Sequence, residues 1–164
     1  MRFLGFAVVT GAAVLLSACG GGDSAPATDA AVDSAAVAPA ADAAASAPAA
    51  ITGTIHEVQM IGDEKGYYYS PAEITAKAGD GIKFVMMSGG PHNVAFDATL
   101  LSPEAKTQLI ANMPNQASEL MGPMLLNAGE EYTMSLAGIA PGTYEFFCTP
   151  HLAMGMKGKF TIQP

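Results

Sequence analysis

Within nine residues, Cys148-Thr149-Pro150-His151-Leu152-Ala153-Met154-Gly155-Met156 places a thiol, an imidazole and two thioethers directly after an apolar run. Sulfur and imidazole donors in one loop select a soft metal. A copper ion that cycles between Cu(I) and Cu(II) is held by two imidazoles, one cysteine thiolate and a weak axial thioether. This stretch supplies three of those four, with Met154 or Met156 as the thioether. The second imidazole stands far upstream, in Ser88-Gly89-Gly90-Pro91-His92-Asn93-Val94-Ala95-Phe96, where a Gly/Pro-rich loop enters a short apolar run. Ligands from two distant loops require a folded site. The remaining histidine, His56, lies beside Glu57 in an expected strand and reads as a surface residue.

The elements that must position these groups are mostly strands. Alternation in Tyr144-Glu145-Phe146-Phe147-Cys148 puts residues 144, 146 and 148 on one face, so the thiol points with two aromatics that favour the core. Pro150 carries no N–H that could be given to the sulfur, and Gly155 helps the loop return Met156. The pattern predicts strands over 55–61, 73–77, 81–87, 93–96, 131–136, 143–148 and 157–162. Gly62-Asp63, Ala78-Gly79-Asp80, Ala128-Gly129 and Pro141-Gly142 punctuate them with turn chemistry. Tyr67-Tyr68-Tyr69 reads as a strand filling the core, and Met86, Met87, Met121 and Met124 as packing. One helix is expected, with Ser102 as N-cap, Pro103 at its first position and an apolar stripe of Ala105, Leu109, Ile110 and Met113. Residues 112–124 carry no clear period and read as an irregular loop. Several short strands with such turns make an all-β sandwich or barrel.

The chain has two cysteines, Cys19 and Cys148. Met1-Arg2, an apolar run from Phe3 to Leu16 and then Ser17-Ala18-Cys19 resemble a bacterial lipoprotein signal, in which the cysteine becomes the first mature residue and carries lipid. The apolar run falls short of the roughly 18 to 20 residues that span a bilayer. Cys148 is then a lone thiol in an exported protein, which a bound metal would both protect and use. Residues 20–50 are Ala, Pro, Gly, Ser, Thr and Asp, with Val as the only larger apolar type, and cannot bury enough surface to offset the entropy of ordering. A flexible coil of that length spans on the order of 30 Å. The expected organisation is a signal peptide at 1–18, a lipid-anchored linker at 19–50 and one domain at 51–164. That domain carries six lysines against eleven acidic residues, which argues against nucleic acid and against anionic lipid as partners.

Taken in order, Pro71-Ala-Glu-Ile-Thr-Ala-Lys-Ala-Gly-Asp80, Pro91-His-Asn-Val-Ala-Phe-Asp97, Leu126-Asn-Ala-Gly-Glu-Glu-Tyr132 and Gly142-Thr-Tyr-Glu-Phe-Phe-Cys-Thr-Pro-His-Leu-Ala-Met-Gly-Met-Lys-Gly-Lys159 resemble the plastocyanin-like cupredoxins, the small type 1 (blue) copper proteins. The resemblance runs from about Tyr68 to Ile162. It implies a Greek-key β-sandwich with His92, Cys148 and His151 as equatorial copper ligands and Met156, by its spacing from His151, as the axial one. It also implies that Asn93 ties the two ligand loops together and supports the thiolate. The implied role is to carry single electrons between larger redox proteins, such as a cytochrome, a reaction centre or an oxidase, as a monomer and not as an enzyme. His151 is the expected electron portal, inside an apolar collar of Gly90, Pro91, Leu152, Ala153 and Met154. The location expected is the periplasmic side of the cell envelope, with attachment to the membrane through Cys19. A copper chaperone or store is the competing reading, because it uses the same soft ligands. A multicopper enzyme would need further histidines, and only His56 is left over.

Overall fold

The computed structural model describes residues 48–164. The signal peptide expected at 1–18, Cys19 and all but the last residues of the linker lie outside them. Alternating apolar residues build two sheets that face one another. The first has strand order β2-β1-β4-β5, from Ile55–Asp63 (β1), Gly66–Ser70 (β2), Gly81–Met86 (β4) and Glu131–Ser135 (β5). The second has order β3-β7-β6, from Glu73–Lys77 (β3), Gly142–Phe147 (β6) and Lys157–Gln163 (β7). β1 and β4 run parallel, as do β3 and β7, while the remaining pairs are antiparallel.

Each strand sends every second side chain inward, and these meet between the sheets. Val58, Met60, Ile82 and Phe84 come from the first sheet, and Phe146, Phe160 and Ile162 from the second; all are buried. Phe146 is the hub, edge-on to Tyr69 at 4.8 Å and to Phe84 at 5.3 Å between ring centroids. Such pairs add about 0.5–1.5 kcal/mol each beyond the area they bury. The tyrosine run forms β2, and its alternation turns Tyr69 into the core and Tyr68 outward. The helix expected after Ser102 is present as α1, Pro103–Asn112. The Ser102 hydroxyl accepts from the Ala105 N–H at 3.2 Å, which satisfies one of the N–H groups that a first turn leaves free. Ala105, Leu109 and Met113 are buried, and Ile110 packs beside them. Among the described residues no helix is long and apolar enough to cross a membrane.

Two expectations are corrected. Residues 93–96 do not form a strand. Ala95 exchanges backbone bonds with Phe147, and His92 with Leu125, so the segment crosses from one partner to the next and makes only isolated bridges. His56 is not a free surface residue. It is half-buried, with its Nε2 2.9 Å from the Asp80 carboxylate, which also accepts the N–H groups of Thr54 at 2.8 Å and Lys77 at 2.9 Å.

That Asp80 clasp marks one pole of the sandwich. Ile55 pairs with Gly81 there, and the parallel strands β1 and β4 run side by side until Met60 pairs with Met86. Six residues of strand cover roughly 16–20 Å. β4 then leads into the loop that carries His92, and β6 delivers Cys148 to the same far pole.

Candidate metal centre

Residue chemistry and local backbone both converge at that far pole. Cys148 follows the last residue of β6, at the end of the inward face of Tyr144 and Phe146, and is fully buried. Its N–H donates to the Met156 carbonyl at 3.1 Å, and the Met156 N–H donates to the His151 carbonyl at 3.2 Å, which closes the nine-residue loop on itself. A short 3₁₀ turn, Leu152–Met154, fills the interval. Gly155 ends it at φ 85, a left-handed conformation that costs glycine little and other residues more.

The loop at 88–92 is fixed differently. His92 exchanges backbone bonds with Leu125 at 3.0 and 2.8 Å. Its ring Nε2 donates to the Ser88 carbonyl at 2.8 Å, which turns Nδ1 toward the other loop. That Nδ1 faces the thiol sulfur at 3.7 Å, and Nδ1 of His151 stands 3.4 Å from the same atom. One donor atom from each of His92, Cys148 and His151 therefore lies within 4.8 Å of the other two. The side chains that join the two loops belong to Asn93 and Thr149, each next to a member of that set. The Asn93 Oδ1 accepts from the Thr149 N–H at 2.8 Å, and its Nδ2 donates to the Thr149 hydroxyl at 3.2 Å.

Burial governs the electrostatics. It pushes the Cys148 thiol above its ordinary pKa, opposed by the backbone N–H groups of Asn93 and His151, which favour the thiolate. Desolvation first, and then the neighbouring His92, hold His151 below the usual histidine value. A lowered imidazole pKa keeps protons from competing with a cation at His151, while the thiol needs the metal itself to displace its proton.

Of the residues expected at the site, His92, Cys148 and His151 are brought together, and Asn93 joins their loops. Met156 is fully buried and hydrogen-bonded to that loop through its backbone, whereas Met154, the other thioether, is 61 % exposed. Cys19 lies outside the described residues. The expected collar is on the surface: Gly90, Pro91, Leu152, Ala153 and Met154 are exposed, and Met87, Met124 and Leu126 extend the apolar set. Sequence reasoning did not assign Tyr67 a place here. Its ring stacks flat on His151, 3.8 Å between centroids and 10° between planes, and meets His92 edge-on at 6.1 Å. Tyr67 shares the inward face of β2 with Tyr69, and that alternation was the available signal.

A buried sulfur between two imidazole nitrogens suits a soft, redox-active ion; the set has no carboxylate to recruit a hard one. A two-sheet sandwich that closes these donors into one pole defines a cupredoxin, a small copper-binding electron-transfer domain. Residues 56–163 match the model for copper-binding proteins of the plastocyanin/azurin family, and the chain belongs to that family. It is similar to plastocyanin A/B of Petroselinum crispum, 37% identical over 106 residues that cover 65% of this chain and 98% of that protein. Similarity to the chloroplastic plastocyanin of Physcomitrium patens is 37% over 105 residues, 64% of this chain and 56% of the other. A solved structure of a mutant fern plastocyanin superposes with a TM-score of 0.52 at 29% identity, covering 65% of this chain and 99% of that one. The family binds one type 1 copper, and the chain is a copper electron-transfer cupredoxin.

Proposed function

We propose that this protein carries one electron at a time between larger redox proteins of the cell envelope, at a copper held by His92, Cys148, His151 and Met156. The observation that carries the reading is the convergence of three buried donors from two loops that Asn93 and Thr149 lock together. Copper bound by a thiolate and two imidazoles takes up and gives back a single electron with little change of ligands. The protein's own part is to keep its donors still and dry. His92 and Cys148 have no exposure, and His151, at 7 %, is the member of the set that reaches solvent. It does so amid the exposed apolar residues Leu152, Met154 and Pro91, a surface on which a partner can sit without displacing charge. The net acidity of the domain favours a basic partner, such as a cytochrome.

The same proposal includes a signal peptide at 1–18, a lipid on Cys19, a tether at 19–50 and a monomeric domain at 51–164 on the periplasmic side. The sequence pattern of residues 1–50 supports it. The chain enters at the Asp80 pole, and Gln163 ends β7 beside Lys77 at that same pole.

A redox titration of the copper-loaded protein, followed by stopped-flow mixing with a basic cytochrome, tests the function. Reversible one-electron behaviour with rapid exchange is expected. Rapid copper loss to a chelator with no electron exchange would instead establish copper delivery. For the anchor, Cys19→Ser is expected to move the protein from the membrane to the soluble fraction; an unchanged distribution refutes it.

A further inference from the structure

The segment that carries His92 has an unusual pattern of backbone bonds. The carbonyl of His92 accepts from Leu125, that of Val94 from Gly122 and that of Ala95 from Phe147, all backbone N–H donors. Between them the Asn93 carbonyl has no strand neighbour to serve it. Its partner is a side chain: the Tyr69 hydroxyl donates to it at 2.7 Å. Tyr69 is 2 % exposed and projects from β2, in the sheet that does not contain Cys148's strand.

We infer that Tyr69 is a positioning residue for the copper site, its hydroxyl standing in for the ladder bond that the crossing segment 92–95 cannot make. Core packing alone does not require that oxygen. The Tyr69 ring already fits edge-on against Phe84 and Phe146, and a phenylalanine would fill the same space. A buried hydroxyl is costly unless paired, so its benefit lies in the group it holds. That group is the residue whose side chain grips Thr149, in the loop that follows Cys148. The strut thus runs from β2 to the joint between the two ligand loops. Tyr132 shows the contrast, since its hydroxyl is buried with no hydrogen-bond partner among the described residues.

This inference rests on the copper reading, and the test separates the two. Tyr69→Phe and, as a matched control, Tyr132→Phe are made in the full chain. Reduction potential, copper EPR spectrum and the rate of copper loss to a chelator are compared with the parent. Loss of one hydrogen bond at the joint is expected to speed copper loss about tenfold in Tyr69→Phe, with a shifted potential and altered EPR, and to leave Tyr132→Phe like the parent. A Tyr69→Phe protein that melts lower yet keeps the parent's potential, EPR and copper loss overturns the positioning role. A parent that binds no copper overturns the functional reading instead. Should Tyr69→Phe fail to fold, NMR of the metal-free parent decides: a slowly exchanging Tyr69 hydroxyl proton supports the strut, and a rapidly exchanging one refutes it.

Discussion

Asn93→Ala is the perturbation whose size follows most directly from the structure. The side chain is buried and makes two hydrogen bonds, both to Thr149: 2.8 Å from the backbone N–H to Oδ1, and 3.2 Å from Nδ2 to the hydroxyl. Neutral hydrogen bonds contribute about 1 kcal/mol each, and Thr149 is exposed, so water can reach the orphaned N–H and limit the penalty. The expected loss is about 2–3 kcal/mol. For a domain of roughly a hundred residues each kcal/mol moves the melting temperature by about 4 °C, which gives a fall of roughly 8–12 °C in the metal-free protein. Thr149→Ala keeps the shorter bond and should cost less than about 1 kcal/mol. Thermal unfolding followed by circular dichroism, completed as a double-mutant cycle, measures the coupling between the two positions. A fall below about 2 °C for Asn93→Ala, or additive single mutants, would refute the claim that this pair joins the ligand loops.

Tyr67→Ala removes the ring stacked on His151 and should cost about 1–2 kcal/mol by urea titration, while Tyr67→Phe should retain most of that. Gly89→Ala should destabilise the metal-free protein by about 2 kcal/mol or more, because φ at 89 is 72 and an added Cβ would press into the backbone of Gly62. Asp80 supplies a pH signature. His56 first, then the Lys77 and Thr54 N–H groups, hold its carboxyl below the usual 3.8. A lowered folded pKa means that the ionised group's contribution is complete above about pH 4 and disappears as the pH falls through the lower folded value. The stability gap between the parent and Asp80→Asn, measured by denaturant titration from about pH 5 to pH 3, should therefore narrow as the pH falls below about 4; a gap that stays level down to about pH 3 contradicts the clasp.

The parts of this molecule written locally in the chain were legible before its structure. Alternation and turn chemistry marked the strands, Ser102-Pro103 marked the start of α1, and the spacing of Cys148 and His151 marked a loop that brings a thiol and an imidazole together. Long-range chemistry was not legible in the same way. The pairing of His56 with Asp80 spans 24 positions, and nothing in either neighbourhood announces the other. Residues 93–96 carry the apolar character of a strand, yet the pairing passes from Leu125 at His92 to Phe147 at Ala95, so the ladder never forms. Tyr67, Tyr68 and Tyr69 look alike in sequence, while the pleat separates their roles. Tyr67 lays its ring against His151, Tyr68 turns outward beside Asp63, and Tyr69 gives its hydroxyl to the Asn93 carbonyl.

The central claim is one redox copper bound through the Cys148 thiolate. Titration of the metal-free protein with Cu(II), monitored by visible absorption, addresses it most directly, with Cys148→Ser alongside. An intense blue thiolate-to-copper band that saturates at one copper per chain and vanishes in Cys148→Ser is the predicted result. Colourless binding, or a blue band that survives in Cys148→Ser, would contradict it.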